Sequence, residues 1–366
     1  MKGAPIEAKL AADGRAKRQH RLRGLPLQFP YAPMEALSVD EIPSGEIWLY
    51  EPKWDGFRCL VFRAGDSVLL QSKAGQPLAR YFPELVEAVQ SLAADRFVLD
   101  AEIVVPVKGR LSFDQLLLRI HPAESRIRKL AAEHPAMLIV FDMLVAAGGQ
   151  SLVARPLAER RGRLEQFAET ILRGNSQIRL SAATDDRKQA ARWLRAAGAN
   201  VDGVIAKRLD LPYASGERTA MQKIKRIRSA DCVVGGFRYA SNEKIVGSLL
   251  LGLYDDDGLL NHVGFTANLS RADRTRLTSK LKALVAPPGF TGRAPGGPSR
   301  WSTKRSTEWQ PLWTQLVVEV EYDRFSGGRF RHGTSFLRWR PDKAPRQCTL
   351  DQVAQRGQKY AGLLKK

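Results

Sequence analysis

An α+β chain of two domains is predicted, the first mixing short strands with helices and the second a small β-barrel. Three observations carry that prediction. The 366 residues are enough for two separate cores. From residue 46 to residue 228, β-rich runs alternate with stretches of helical spacing. After Arg228 the texture changes to short strands joined by glycine turns, with one helical stretch among them.

Residues 1–25 are a basic N-terminal segment with Lys2, Lys9, Arg15, Lys17, Arg18, Arg21 and Arg23. They suit a short helix laid on nucleic acid or a frayed tail. Residues 26–45 are proline-rich and read as irregular chain wrapping a domain. Runs 47–50 and 57–62 read as two strands meeting at Lys53-Trp54-Asp55-Gly56. Asp55 suits a turn, and Gly56 can take backbone angles closed to other residues. The expectation is a loop that presents Lys53 at a sheet rim. A strand at 68–72 ends at Lys73, and 83–89 has helical spacing. Residues 97–105 form a β-branched strand stopped by Pro106. An apolar strand at 137–144 precedes helices around 156–171 and 185–197, a strand at 203–207 and a basic run at 221–228. In the second domain, runs 232–237, 248–254, 259–265 and 316–322 are strands, 270–285 is helical and 287–299 is a Pro/Gly-rich link. About five strands with one helix suit an OB-fold. The domains are therefore 26–228 and 229–366.

The charge narrows the partner. There are 58 basic residues against 38 acidic ones, a formal net charge of +20. Nucleic acid is the first candidate, because phosphate contacts release counterions. An anionic membrane is second, but no amphipathic basic helix accompanies a lipidation signal. No apolar run approaches the roughly 20 residues of a membrane span, and no secretion-signal core opens the chain. A cytoplasmic protein is expected. Cys59, Cys232 and Cys348 lie far apart without a Cys-x-x-Cys, which excludes a four-cysteine zinc site and disfavours disulfides.

The chemistry centres on Lys53. A free lysine titrates near pH ~10.4, and neighbouring cations or a metal can free its lone pair at neutral pH. The tetrapeptide alone is weak, and its company supplies the weight. Asp100-x-Glu102 puts two carboxylates on one face of a strand. Asp202-Gly203 is followed by Lys207, and Lys223 and Lys225 share a strand face. Phe141 closes an apolar run whose plainest reading is core.

Lys53-x-Asp55-Gly56 with Arg58, Ser72-Lys73, Asp100-x-Glu102, Phe141, Asp202-Gly203-x-x-x-Lys207 and Lys223-x-Lys225 occur in the order of the motifs of covalent nucleotidyltransferases. That superfamily comprises DNA ligases, RNA ligases and mRNA capping enzymes. The likeness spans residues 46–228. Arg331-His332-Gly333 through Arg340-x-Asp342-Lys343 is similar to the final motif of ATP-dependent DNA ligases. Glu51-Pro52-Lys53-Trp54-Asp55-Gly56-Phe57-Arg58 resembles the active-site string of the short bacterial ATP-dependent enzymes, DNA ligase C and the ligase domain of ligase D. Residues 202–240 look more like ligase C.

The resemblance implies an adenylation domain of antiparallel sheets with flanking helices, followed by an OB-fold. It implies that Lys53 attacks ATP to give lysyl-AMP. Glu51 would receive the adenine amino group, Arg58 and Lys73 would hold ribose or phosphate, and Phe141 would stack on adenine. Glu102 and Asp202 would bind Mg²⁺ or Mn²⁺. Lys207, Lys223 and Lys225 would face the phosphates. Arg340, Asp342 and Lys343, on a mobile second domain, would act on the leaving pyrophosphate. The implied partners are nicked duplex DNA and DNA repair proteins, with no membrane, for a monomer working at the nucleoid. Asp202 stands where glutamate is usual, and Lys73 where arginine is usual. Lys73 thereby lacks the bidentate fork that suits phosphate. An RNA ligase or guanylyltransferase is the alternative enzyme, and a nucleic-acid-binding protein with a dead transferase site is the alternative of another class.

Overall fold

The computed structural model describes residues 22, 24–198, 200–241, 243–296, 308–331, 333–354 and 360–365. Most of the basic N-terminal segment and His332 lie outside these residues. The chain divides into two units, Met1–Lys225 with Gly357–Lys366, and Arg226–Arg356.

The first unit runs β1 (Leu37–Ser38), β2 (Trp48–Trp54), β3 (Phe57–Ala64), β4 (Ser67–Ser72), α1 (Pro83–Gln90) and β5 (Arg96–Val104). A small hairpin follows, β6 (Pro106–Val107) with β7 (Arg110–Leu111), then α2 (Phe113–Leu118), α3 (Glu124–Glu133) and β8 (Met137–Val145). It continues with α4 (Leu157–Thr170), β9 (Ile178–Leu180), α5 (Arg187–Arg195), β10 (Val201–Arg208) and β11 (Met221–Lys225). These strands form a five-stranded sheet, β4-β3-β5-β8-β9, and a four-stranded sheet, β1-β11-β10-β2. Both are antiparallel as expected, except that β8–β9 and β1–β11 pair in parallel. The β8–β9 pair is reached through the α4 crossover, which a parallel connection requires.

Every residue of β8 is buried. That is why it reads as an apolar run, broken only by Asp142, instead of an alternation: both faces are covered. Leu138 and Val140 enter a core with Leu85 and Val89 of α1 and Leu164 and Phe167 of α4. Met137 and Ile139 enter a second core with Trp48, Tyr50 and Trp54 of β2. Period-two alternation thus assigns Phe141 to the Ile139 side, the side on which the site is built.

One expectation changes here. The Lys53–Gly56 segment does not join two neighbours of one sheet. β2 is the edge of the four-stranded sheet and β3 lies inside the five-stranded one. Asp55 and Gly56 carry the chain from sheet to sheet, so Lys53 sits within β2 and not in a loop. Gly56 is needed for a different reason from the one the sequence suggested. Its φ is not in the left-handed range, but a Cβ there would lie 2.1 Å from the Ile103 carbonyl oxygen.

The second unit holds β12 (Arg228–Tyr239), β13 (Val246–Tyr254), β14 (Leu260–Thr266), α6 (Arg271–Lys282), β15 (Gln310–Pro311) and β16 (Val317–Tyr322). Next come β17 (Phe325–Ser326), β18 (Arg329–Phe330) and β19 (Ser335–Trp339). The main order is β14-β13-β12-β16-β19. Between its ends a lone parallel bridge, Thr266–Thr334, stands in place of a ladder. The order and the helix after the third main strand agree with an OB-fold, although no continuous barrel closes among the described residues. β12 pairs with β13, β16 and β15, and its register with β13 shifts between Val234 and Gly236. Gly235 and Gly236 there make room for Phe290 and Trp309.

The expected second domain, 229–366, was too long at its end. Leu363 and Leu364 are buried with Trp54, Trp193 and Ile139 in the first unit. Two leucines in a short polar tail give no periodic pattern, so composition alone could not reassign them.

Candidate functional site

Alternation on β2 places Tyr50 and Trp54 in a core with Ala190 and Trp193 of α5. Glu51 and Lys53 take the other face. They open on a cavity of about 420 Å³ whose lining includes Lys53, Arg58, Lys73, Glu102, Phe141 and Lys223. Glu51, Lys207, Glu35 and Arg218 also border it. The structure therefore gathers most of the predicted nucleotide residues around one space. Lys225 is not among the lining residues.

Lys53 is opposite Gly203 in the β2–β10 ladder, and its Nζ donates to Asp202 Oδ2 at 3.1 Å. Gly203 is required there, because a Cβ would lie 2.0 Å from the Ile224 carbonyl oxygen on β11. Burial pulls the Lys53 ammonium down, but Asp202, Glu102 and Asp55 outweigh it and hold the group above the ordinary lysine value. This corrects the expectation of a lysine depressed by neighbouring cations. Its dominant charged neighbours are carboxylates.

Glu102 accepts from the Gly56 N–H at 3.0 Å. Burial raises its carboxyl to about 7, against the opposing pull of Lys53 and Arg58. The Asp100–Glu102 pair is divided between two tasks. Asp100 is buried and takes Arg58 Nη2 at 2.6 Å and the Tyr213 hydroxyl at 2.6 Å. Glu102 is left to the Lys53 side. Arg58 is thus oriented by Asp100, and its guanidinium carbon lies 4.8 Å from the Phe141 ring centre.

At the other end of the cavity, Lys73 pairs with Glu35 Oε1 at 3.2 Å and Arg218 donates to Glu35 Oε2 at 3.0 Å. Burial lowers the Lys223 ammonium, helped by Lys225, Lys53, Lys73 and Arg218. Those mutual effects mark a shared positive field suited to a polyanion.

Lys207 is held by contacts of its own. It lies four residues beyond Gly203, about 13 Å along the strand. It is fully buried, with Nζ 2.8 Å from Glu51 Oε2 and donating to the Phe141 carbonyl at 3.1 Å. It also borders the cavity that Lys53, Lys73 and Lys223 line. Arg161 of α4 reaches the other oxygen, Glu51 Oε1, at 3.3 Å. Neither Arg161 nor Arg218 was singled out from the sequence. Arg161 sits far from every motif, and Arg218, five residues before Lys223, has no spacing that marks it.

In the second unit Arg340, Asp342 and Lys343 do come together. Arg340 Nη2 donates to Asp342 Oδ2 at 2.8 Å and Nη1 to Asp231 Oδ1 at 2.8 Å. Lys343 Nζ donates to Asp231 Oδ2 at 2.7 Å. The bond from Arg340 holds the Asp342 carboxyl down at about 2. Asp231, on β12, is the partner that sequence reasoning missed.

A lysine beside carboxylates shares one cavity with an aromatic ring, a buried glutamate and several cations, a lining that suits the base and phosphates of a nucleotide. The comparisons narrow the class. Residues 33–225 match the ATP dependent DNA ligase domain, and 242–343 match the ATP dependent DNA ligase C terminal region. The chain belongs to the ATP-dependent DNA ligase family. It is 45% identical over 340 residues to DNA ligase C1 of Mycolicibacterium smegmatis, spanning 90% of this chain and 95% of that protein. Over 312 residues it is 32% identical to the multifunctional non-homologous end joining DNA repair protein LigD of Mycobacterium tuberculosis, spanning 83% of this chain and 37% of that protein. A solved Lig E DNA ligase, 14% identical, superposes with a TM-score of 0.51 over 84% of this chain and 99% of that one, a likeness of fold.

Proposed function

We infer that this chain seals nicks bearing a 3′-hydroxyl and a 5′-phosphate in duplex DNA, using ATP, as a monomeric repair ligase of the cytoplasm. The observation that carries the reading is Lys53 on the wall of a cavity of about 420 Å³ that Phe141, Glu51 and the cations Arg58, Lys73, Arg218 and Lys223 also line.

In the first step the Lys53 amine, having lost its proton, attacks the α-phosphorus. A P–N bond forms and the bond to pyrophosphate breaks. Phe141 would stack on adenine and Glu51 would accept from its amino group. Lys73, Arg218, Lys223 and Lys225 would hold the phosphates, since phosphoryl transfer depends on positioning and charge neutralisation. Arg340, Asp342 and Lys343 would then act on the pyrophosphate. In the second step the 5′-phosphate of the nick takes AMP from Lys53. In the third the 3′-hydroxyl displaces AMP and closes the strand.

Glu102 and Asp202 would hold a divalent ion. Hard carboxylate oxygens fit Mg²⁺ or Mn²⁺. Among the described residues no set of three or more acidic, His or Cys donors forms a cage. Bound there, the ion offsets negative charge at the reacting phosphate. Asp202 would also exchange its present contact with Lys53 for that ion.

The test is incubation with labelled ATP or GTP, followed by nicked DNA or nicked RNA. Label should enter from ATP, and DNA should be sealed. Lys53→Ala should form no lysyl-AMP; an adduct surviving that change would remove Lys53 as nucleophile. Label entering from GTP alone would overturn the ligase reading.

A further inference from the structure

We propose that Arg161 is the positioning residue for base recognition, fixing the Glu51 carboxylate and being fixed in turn by Ser181 and Glu165. The proposal rests on Glu51 reading the adenine amino group.

Arg161 is buried on α4. Nη1 donates to Glu51 Oε1 at 3.3 Å, Nη2 to the Ser181 carbonyl at 2.8 Å and Nε to Glu165 Oε1 at 3.0 Å. Three acceptors around a planar fork leave it little freedom to turn. Docking of α4 does not need this residue, because the adjacent Arg160 already forks onto Asp142 of β8 at 2.9 and 3.0 Å. A buried cation is a costly way to fill space, where an apolar side chain would serve. Its geometry is explained by its partner, which borders the nucleotide cavity.

Lys207 and Arg161 approach Glu51 from β10 and α4, one at each oxygen. Each carboxylate oxygen can accept twice, so acceptor capacity remains for the cavity. A carboxylate fixed in this way welcomes a donor such as the adenine amino group. It opposes the oxo group that guanine carries at the same position, because acceptor then meets acceptor.

The anchors of Arg161 are themselves held by the end of the chain. The Ala182 N–H donates to the Leu363 carbonyl at 3.1 Å, and the Lys365 N–H donates to the Leu180 carbonyl at 3.1 Å. Ser181 is thereby clamped on both sides. Lys365 Nζ lies 3.3 Å from Glu165 Oε1, the oxygen that Arg161 uses. The Ser181 hydroxyl also accepts from Trp54 Nε1 at 2.9 Å, one residue from Lys53.

The test uses the full chain and follows lysyl-nucleotide formation with ATP and with GTP, separating KM from the rate at saturation. Loss of a hydrogen bond to a charged group corresponds to about tenfold or more in affinity. Arg161→Met should therefore raise KM for ATP about tenfold and reduce the preference for ATP over GTP, with the saturated rate changed less than about threefold. Arg161→Lys, which keeps the charge but loses the fork, should recover part of both. Glu51→Gln is the control on the premise. If it leaves the ATP preference intact, Glu51 does not read the base. If it lowers the preference while Arg161→Met does not, the positioning role is overturned. Should Arg161→Met fail to fold, Glu165→Ala decides the matter, because it removes one anchor and leaves the Glu51 contact. A rise in KM with the saturated rate kept supports the role, and unchanged KM overturns it.

Discussion

At the scale of single residues, the site turns on how closely backbones approach around Lys53. Asp202 can reach the lysine because Gly203 lets β10 and β11 close to a distance that a Cβ would forbid. Gly203→Ala would press its new carbon onto the Ile224 carbonyl, where no flexible side chain can yield. A loss of about 1–3 kcal/mol is expected, together with slower lysyl-AMP formation. Urea unfolding checks the first and labelled ATP the second. A variant with the parent midpoint would mean that the two strands separate freely. Lys53, Glu102, Phe141 and Lys223 were legible because their order and spacing carry a motif. Arg161 and Arg218 were not, because an arginine outside the motifs looks like solvated surface. Only the fold shows Arg161 turned inward beside an inward Arg160.

At the scale of elements, alternation revealed faces better than partners. The runs read as strands at 97–105 and 137–144 became β5 and β8, each flanked by a strand on both sides. Nothing in the apolar runs flanking Lys53 told that they enter different sheets, since alternation fixes a side chain's face and not its neighbour strand. In the second unit, His262 on β14 is buried edge-on against Phe290, with ring centres 5.4 Å apart. Burial lowers its imidazole from 6.5 to about 3, aided by Arg329, Arg238 and Arg293. Between these values the unfolded chain binds the proton and the folded one does not. The stability is therefore present above pH ~6.5 and is lost as pH falls toward ~3, at most about 1.4 kcal/mol per unit. His262→Phe should remove that share of the slope. Denaturant unfolding of the second unit's transition at pH 7, 6 and 5 checks it, and equal slopes in parent and variant would count against it.

At the scale of the whole molecule, the formal charge of +20 fits a protein that works on DNA. The family assignment rests on both units, since separate ligase regions match in each. The final motif assembles in the second unit around Asp231. Arg340→Ala should slow lysyl-AMP formation about tenfold or more, as loss of a charged contact would. It should leave sealing of nicks that already carry AMP nearly unchanged. Gel assays of the two steps check this, and equal loss of both would move Arg340 out of the pyrophosphate role.

The return of residues 360–365 to the first unit has a consequence for the order in which the protein is made. On a ribosome, β2, β10 and β11 emerge long before Leu363 and Leu364, with the whole second unit translated between them. At roughly 5–20 residues per second, the first unit waits on the order of 10 s for the piece that buries beside Trp54 and clamps Ser181. A nascent chain stopped before Tyr360 would carry every predicted nucleotide contact, yet lack the closing stitch behind them.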